Sequence, residues 1–282
     1  GAAAPAAAAP DVAIIFGTQW QTEAVDLPSL ALPNASSDPA NQGYDQEALI
    51  SAVSAQAKQT VVVLQAGTAV TMPWLSKVHA VLQAWYPGVQ GGRAIANLLT
   101  GKVNPSGKLP LTYPRSERDL PQAAISQSDP QVVYGEGLKI GYRWFDSKGI
   151  EPLFPFGHGL SYTRFEYAGL TSSVASNGDV RVGFTIANTG PRSGAEVAQV
   201  YADGTGLPGD APRKLIGWVK VDLRSGESRR VELTIPAGRF AVWDGAWKVR
   251  GTRAAIVVGA SSRAPKLTGS ITLTGRTLSA PM

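Results

Sequence analysis

Two carboxylates and an indole lie close together near the start of the chain. In TQWQTEAVDLPSL, residues 18–30, Trp20 precedes Glu23, and Asp26 follows three residues later. The stretch begins where the uncharged run Val12-Ala13-Ile14-Ile15-Phe16 stops at Gly17. A carboxyl group can give a proton to a glycosidic oxygen and then take one from water, while the apolar face of an indole stacks on a sugar ring. If the run is a strand of a parallel sheet, the loop leaves its carboxyl end, where α/β sheets bind ligands. The plainer alternative is a solvated loop carrying two ordinary acids. Spacing alone leaves both readings open.

The other reactive side chains carry less. With no cysteine there is no thiolate nucleophile and no Cys-ligated metal, and the two histidines, His79 and His158, lie far apart in the chain, which argues against a metal site. His79 reads as a surface residue of a helix. His158, in LFPFGHGLSYTRF, is flanked by glycines and reads as part of a tight turn, because the segment lacks the strand-to-helix elbow of a Ser161–His158 nucleophile pair. The glycines of YPGVQGGRAIANLL (86–99) match neither a phosphate loop nor a dinucleotide fingerprint, and close packing at a helix start is the favoured reading.

The elements that must position these residues fall into two patterns. Residues 11–115 alternate short apolar runs with amphipathic stretches. Asp11–Phe16 and TVVVLQAG (60–67) read as fully buried strands, and DQEALISAVSAQAK (45–58) as a helix. Pro73 is expected to open a second helix with Trp74, Leu75, Val78, Val81, Leu82 and Trp85 as its apolar stripe, and GGRAIANLLTG forms a third. Uncharged strands alternating with helices imply a mostly parallel sheet covered on both faces. From about residue 168 the period changes: VRVGFTIANTG, AEVAQVYAD, RKLIGWVKVDL, SRRVELTIP and AAIVVGAS predict an antiparallel β-sandwich. The expected organisation is 1–10 as a linker or cut helix, 11–115 α/β, 116–167 an aromatic, Gly- and Pro-rich connector packed along a surface, and 168–282 all-β.

Composition narrows the partners. The net charge of +5 comes from scattered Lys and Arg, and Arg229-Arg230 is flanked by Glu227 and Glu232, so a mixed solvated surface is expected and nucleic acid is not. No apolar run approaches the roughly 20 residues of a membrane helix, so no membrane span is expected. The opening GAAAPAAAAP lacks the basic region of a signal peptide.

Three long segments resemble the C-terminal half of glycoside hydrolase family three, the β-glucosidases and β-xylosidases. Residues 61–114, with Asn104-Pro105-Ser106-Gly107-Lys108-Leu109-Pro110, resemble the family's second domain. YGEGLKIGYRWFDSKGIEPLFPFGHGLSYTRFEY (134–167) resembles its connector. VGFTIANTGPRSGAEVAQVYAD (182–203) and KLIGWVKVDLRSGES (214–228) resemble its fibronectin type III-like domain.

The resemblance implies roles. In this family a loop after a strand of the second domain supplies the catalytic acid/base as Glu-Gly-x-Asp-Arg or a close variant. Here the matching residues are Glu23-Ala24-Val25-Asp26-Leu27, with Ala24 for the Gly and Leu27 for the Arg. Glu23 thus matches the acid/base, Asp26 the loop aspartate that supports it, and Trp20 is a candidate wall of the leaving-group subsite. The family's nucleophile is an Asp on an N-terminal (β/α)₈ barrel, in a Ser-Asp-Trp context that does not occur here. The resemblance therefore implies a retaining exo-acting β-glycosidase, β-glucosidase ahead of β-xylosidase. Its substrate would be a β-linked oligosaccharide or aryl β-glycoside. Its partner would be the barrel domain or chain carrying the nucleophile, with no cofactor or metal. The chain alone is expected to be inactive, and a periplasmic or secreted location follows from the family. The alternative is a non-catalytic carbohydrate-binding or scaffolding fragment.

Overall fold

The computed structural model describes residues 10–23, 27–34, 45–122, 131, 133–207 and 209–280. Two units form: residues up to Thr100 with Tyr113–Leu120, and Gly101–Thr112 with Pro121 onward.

The first unit contains β1 (Val12–Gln19), α1 (Gln46–Ser54), β2 (Gln59–Ala66), β3 (Ala80–Gln83) and α2 (Gly91–Leu99). β2 is central and pairs in parallel with both neighbours, from Val12↔Gln59 to Gln19↔Ala66 on one side and from Val61↔Ala80 to Leu64↔Gln83 on the other. Its β-branched run suits this place: Val62, Val63 and Leu64 are fully buried. Asp45 caps α1 through a bond accepted from the Ala48 amide at 2.9 Å. At the start of α2, a Cβ on Gly91 would come within 2.6 Å of the Pro87 ring, in keeping with close packing as the use of that glycine.

Two expectations need correction. β1 is not fully buried: Ile15, Gly17 and Gln19 face inward, whereas Val12, Ile14 and Phe16 are 51, 48 and 51% exposed. As an edge strand it packs only the face where Gly17 meets Leu64 and Leu32. The helix expected from Pro73 is also absent. Leu75–Lys77 makes one 3₁₀ turn, and Ala80–Gln83 is β3. Val81 and Leu82 suit either period, and the open hydrogen-bonding side of β2 decides for the strand. His79 belongs to that pairing and not to a helix. Its amide donates to Thr60 O at 2.8 Å, and its Nδ1 accepts from the Thr60 amide at 3.1 Å.

The second unit contains α3 (Tyr142–Lys148), β4 (Phe165–Val174), β5 (Val180–Asn188), β6 (Gly194–Asp203), β7 (Arg213–Leu223), β8 (Ser228–Ile235), β9 (Ala241–Trp243), β10 (Trp247–Val249), β11 (Thr252–Gly259), β12 (Pro265–Leu273) and β13 (Arg276–Leu278). Sheets β4-β5-β8 and β12-β11-β6-β7 form a fibronectin-like antiparallel sandwich, and β13-β10-β9 is a third small sheet. Alternate residues of β5 (Val180, Val182, Phe184, Ile186) share a core with Val200, Ala202, Ile256 and Val258. The five strands expected from the sequence are β5, β6, β7, β8 and β11.

The Lys108 segment is tied to this sandwich through buried charge. Lys108 Nζ lies 3.2 Å from Glu196 Oε1 and donates to Gly159 O at 3.0 Å. Tyr167 donates its hydroxyl proton to the same Glu196 oxygen at 2.9 Å. The Lys108 and Glu196 side chains are only 12 and 5% exposed. Beside them Leu109 pairs with the turn at His158: its amide donates to His158 O and its carbonyl accepts from Gly157 N, both at 2.8 Å. Gly157 is at φ +80°, and a Cβ there would meet Gln199 Oε1 at 2.0 Å. His158 stacks on Phe154 at 5.1 Å. Burial, and then the Lys108 charge, push its imidazole below the ordinary histidine value.

Removing one partner of a buried ion pair strands the other. Lys108→Met is expected to cost about 3–5 kcal/mol in urea unfolding, and Lys108→Met with Glu196→Leu to recover most of it. His158 gives a pH signature. With its folded value depressed, the unfolded chain takes up the proton first, so stability is full above about pH 6.5 and falls as acid approaches the folded value. Unfolding free energies from urea melts between pH 7.5 and 5 should fall more steeply for wild type than for His158→Asn, by up to about 1.4 kcal/mol per pH unit.

Candidate active-site loop

Because β1, β2 and β3 run parallel, their carboxyl ends at Gln19, Ala66 and Gln83 emerge at one edge of the sheet. The loop from Trp20 to Asn34 leaves from that edge, and side chains from three other segments tether it. Tyr86, just beyond β3, donates its hydroxyl proton to Gln19 O at 2.9 Å and accepts from the Gln21 amide at 2.8 Å. The ring of Tyr86 also supports Trp20, with centroids 5.8 Å apart and planes tilted by 40°. Trp85 places Tyr86 there from a left-handed backbone, φ 53°, unique among non-glycine residues of the described chain. For a bulky residue that conformation is strained.

The returning arm is held by a carboxylate and two amides. Glu117 Oε1 accepts from Ser29 Oγ and from the Leu30 amide, both at 2.6 Å. Gln19, buried at the end of β1, donates to Ala31 O at 2.8 Å. Gln46 acts as a substitute strand neighbour: its Oε1 accepts from Thr18 N at 2.7 Å and its Nε2 donates to Thr18 O at 2.8 Å. The open edge of β1 is thereby closed at Thr18 by one side-chain amide.

Of the three residues singled out from the sequence, two lie in the described chain. Trp20 is 72% exposed, and Glu23 is exposed in a turn at the outer part of the loop. Asp26, with Ala24 and Val25, lies outside the described residues. Among the described loop residues Glu23 is the sole ionisable side chain. The loop can therefore offer one carboxyl three residues from an exposed indole, half of the carboxyl pair that glycoside hydrolysis uses. Tyr86, Glu117 and Gln46 were not singled out. Glu117 sits inside a readable signal, the capping box of Ser116 and Asp119, but its reach to Ser29 is not written in sequence. Tyr86 has its place only because 80–83 is a strand paired with β2 and not part of a helix.

Among the described residues no group of three or more His, Asp or Glu side chains is placed to hold a metal ion, and no helix is long and apolar enough to cross a membrane.

Residues 1–162 match the profile described as the glycosyl hydrolase family 3 C-terminal domain, and residues 196–262 match that of a fibronectin type III-like domain. Beta-glucosidase B of Emericella nidulans is 38% identical over 281 residues, which covers 93% of this chain and 32% of that protein. Thermostable beta-glucosidase B of Acetivibrio thermocellus is 38% identical, covering 92% and 34%. Among solved structures, beta-glucosidase 3B from Thermotoga neapolitana, in complex with glycerol, superposes with a TM-score of 0.86 at 35% identity, covering 95% of this chain and 38% of that one. DesR, a beta-glucosidase from Streptomyces venezuelae in complex with D-glucose, gives 0.85 at 38% identity, covering 94% and 34%. The chain thus spans about a third of the length of the curated relatives it matches.

The tether at Tyr86 is directly testable. Tyr86→Phe keeps the ring under Trp20 and removes both hydroxyl bonds. It should cost about 1 kcal/mol and speed amide exchange at Gln21 while leaving exchange in the centre of β2 unchanged.

Proposed function

The chain belongs to glycosyl hydrolase family 3, and from that premise we infer that it is the part of a retaining exo-acting β-glycosidase that supplies the acid/base, Glu23. The observation that carries this reading is the exposed Glu23 carboxyl on a loop leaving the carboxyl edge of a parallel sheet, with both arms of the loop tethered. The nucleophile is an Asp of the family's (β/α)₈ barrel, and the described residues contain no closed barrel. The Asp attacks the anomeric carbon while Glu23 protonates the departing oxygen. Glu23, now ionised, then takes a proton from the water that releases the sugar. Retention requires the two carboxyls to stand roughly 5–5.5 Å apart, so Glu23 acts only when its loop lies against the barrel.

Trp20 then forms a wall of the leaving-group subsite, its outer face open to the aglycone or second sugar. Asp26 supports the loop. A β-glucoside is favoured over a β-xyloside because the named relatives are beta-glucosidases. The domain boundaries 11–115, 116–167 and 168–282, and a periplasmic or secreted location, belong to the same reading. Ala24 and Leu27, where the family pattern has Gly and Arg, favour the second reading, a fragment that binds carbohydrate or scaffolds without catalysis.

Intact-mass analysis together with hydrolysis of p-nitrophenyl β-glucoside separates the two. With the barrel present, Glu23→Ala should lower kcat by roughly 10²–10⁴-fold through the lost base in the second step, and azide should restore turnover of this activated substrate. Full activity of Glu23→Ala would refute the assignment. Inactivity of the wild-type assembly with its barrel would favour the non-catalytic reading.

A further inference from the structure

The sandwich unit carries a second aromatic site, independent of Glu23. A groove of about 200 Å³ opens beside the β9–β10 hairpin. Trp243 and Trp247 are cross-strand partners there, with ring centroids 5.4 Å apart and planes at 69°, so they form an L-shaped wall. Trp243 is 60% exposed, an unusual place for a large apolar face with an aromatic support behind it.

Two cations line the same groove. Arg143 follows Tyr142 at the start of α3, and Lys214 precedes Leu215 in β7. The Leu215 amide donates to the Tyr142 hydroxyl at 2.8 Å, which fastens the two elements together at these neighbouring positions. Arg143 is partly exposed where it lines the groove, and its Nε, inside the wall, has no hydrogen-bond partner among the described residues. Lys214 Nζ reaches Ala241 O only at 3.4 Å. Burial, and then the charges of Arg143 and Arg239, push the Lys214 ammonium below its ordinary value, with Asp210 opposing. Asp210, the carboxylate of the groove, is engaged with its own loop, its Oδ2 accepting from the Leu207 amide at 2.9 Å. The groove therefore combines an exposed indole, a partly exposed guanidinium and a surplus of positive charge.

We propose that this groove binds an acidic sugar residue, a hexuronate, with one pyranose face on Trp243 and its carboxylate between Arg143 and Lys214. Each part of the ligand answers a feature of the groove. The indole takes the apolar C–H face of a pyranose, and the two rings at 69° form a corner that receives the chair on its face and its edge. The carboxylate pairs with the guanidinium of Arg143, which lines the groove, and offsets the like-charge crowding at Lys214. The volume is below the roughly 300–1,000 Å³ of drug-sized pockets, which suits one ring and not a chain.

The test uses the full 282-residue chain labelled with 5-fluorotryptophan, its seven tryptophan resonances followed by ¹⁹F NMR during titration with sodium D-glucuronate. Trp243→Phe and Trp247→Phe assign the two signals. Glucuronate should shift both saturably, glucose at equal concentration should not, and Arg143→Gln or Lys214→Gln should weaken binding by about tenfold or more, the scale of a charge-assisted hydrogen bond. Unchanged positions of the remaining resonances show that each variant is folded. Equal shifts with glucose, equal shifts with sodium acetate, tighter binding of ferulate than of glucuronate, or full affinity in the folded Arg143→Gln and Lys214→Gln variants would each overturn the proposal.

Discussion

The parallel pairing of β1 with β2 is the constraint on which the candidate active-site loop depends. In an antiparallel pair the chain would turn back at each strand end, but here every strand ends at the same edge and the chain must travel away from it. That travel leaves backbone groups beyond Gln19 without strand partners, and side chains take the vacant role. Gln46 pairs with both backbone groups of Thr18, Tyr86 with Gln19 and Gln21, and Glu117 with Leu30. The result is a loop bound at its two arms, with Glu23 exposed in a turn between them.

The second unit solves a different problem with similar means. Its sandwich buries an ordinary aliphatic core, but residues 101–112 have no regular structure and still must be held. Polar side chains hold them. Asn104 Oδ1 accepts from the Tyr162 amide at 2.8 Å and from Ser161 Oγ at 3.1 Å, and Lys108 reaches Glu196 inside the sandwich. A buried ion pair adds little net stability over an apolar replacement, so its use here is to specify one position for an irregular segment. Tyr167 and Gly159 complete the partners of the pair, which keeps that burial tolerable.

Two tryptophans, one in each unit, share a construction. Trp20 leans on Tyr86 and Trp243 on Trp247, so each has an aromatic support on one side and is largely exposed on the other. Support restricts the ring before any ligand arrives, which lowers the ordering cost of stacking. Their polar company differs. Trp20 stands three residues from a glutamate, and Trp243 shares a groove with Arg143 and Lys214.

Much was legible in the chain alone. The apolar runs at 12–16 and 60–67, the switch to five alternating strands after residue 168 and the quoted family segments determine an α/β unit followed by a β-sandwich, because period and β-branching are local properties. Glu23 and Trp20 were also visible as the residues following an uncharged run. What stayed hidden depended on partners distant in sequence. The edge position of β1, which exposes Val12, Ile14 and Phe16, follows from which strands pair and not from the composition of the run. Residues 80–83 became a strand because β2 had a free side, although their apolar spacing also suited a helix. β4, β9, β10, β12 and β13 escaped notice because short or edge strands show little burial contrast. The chain by itself determined the two fold classes and the residue at the outer part of the loop. Tertiary structure alone decided what tethers that loop and what surrounds Trp243. Tyr86 lies 65 residues from Gln21 and Leu215 lies 73 from Tyr142, and hydrogen bonds over such separations exist only once the chain has folded.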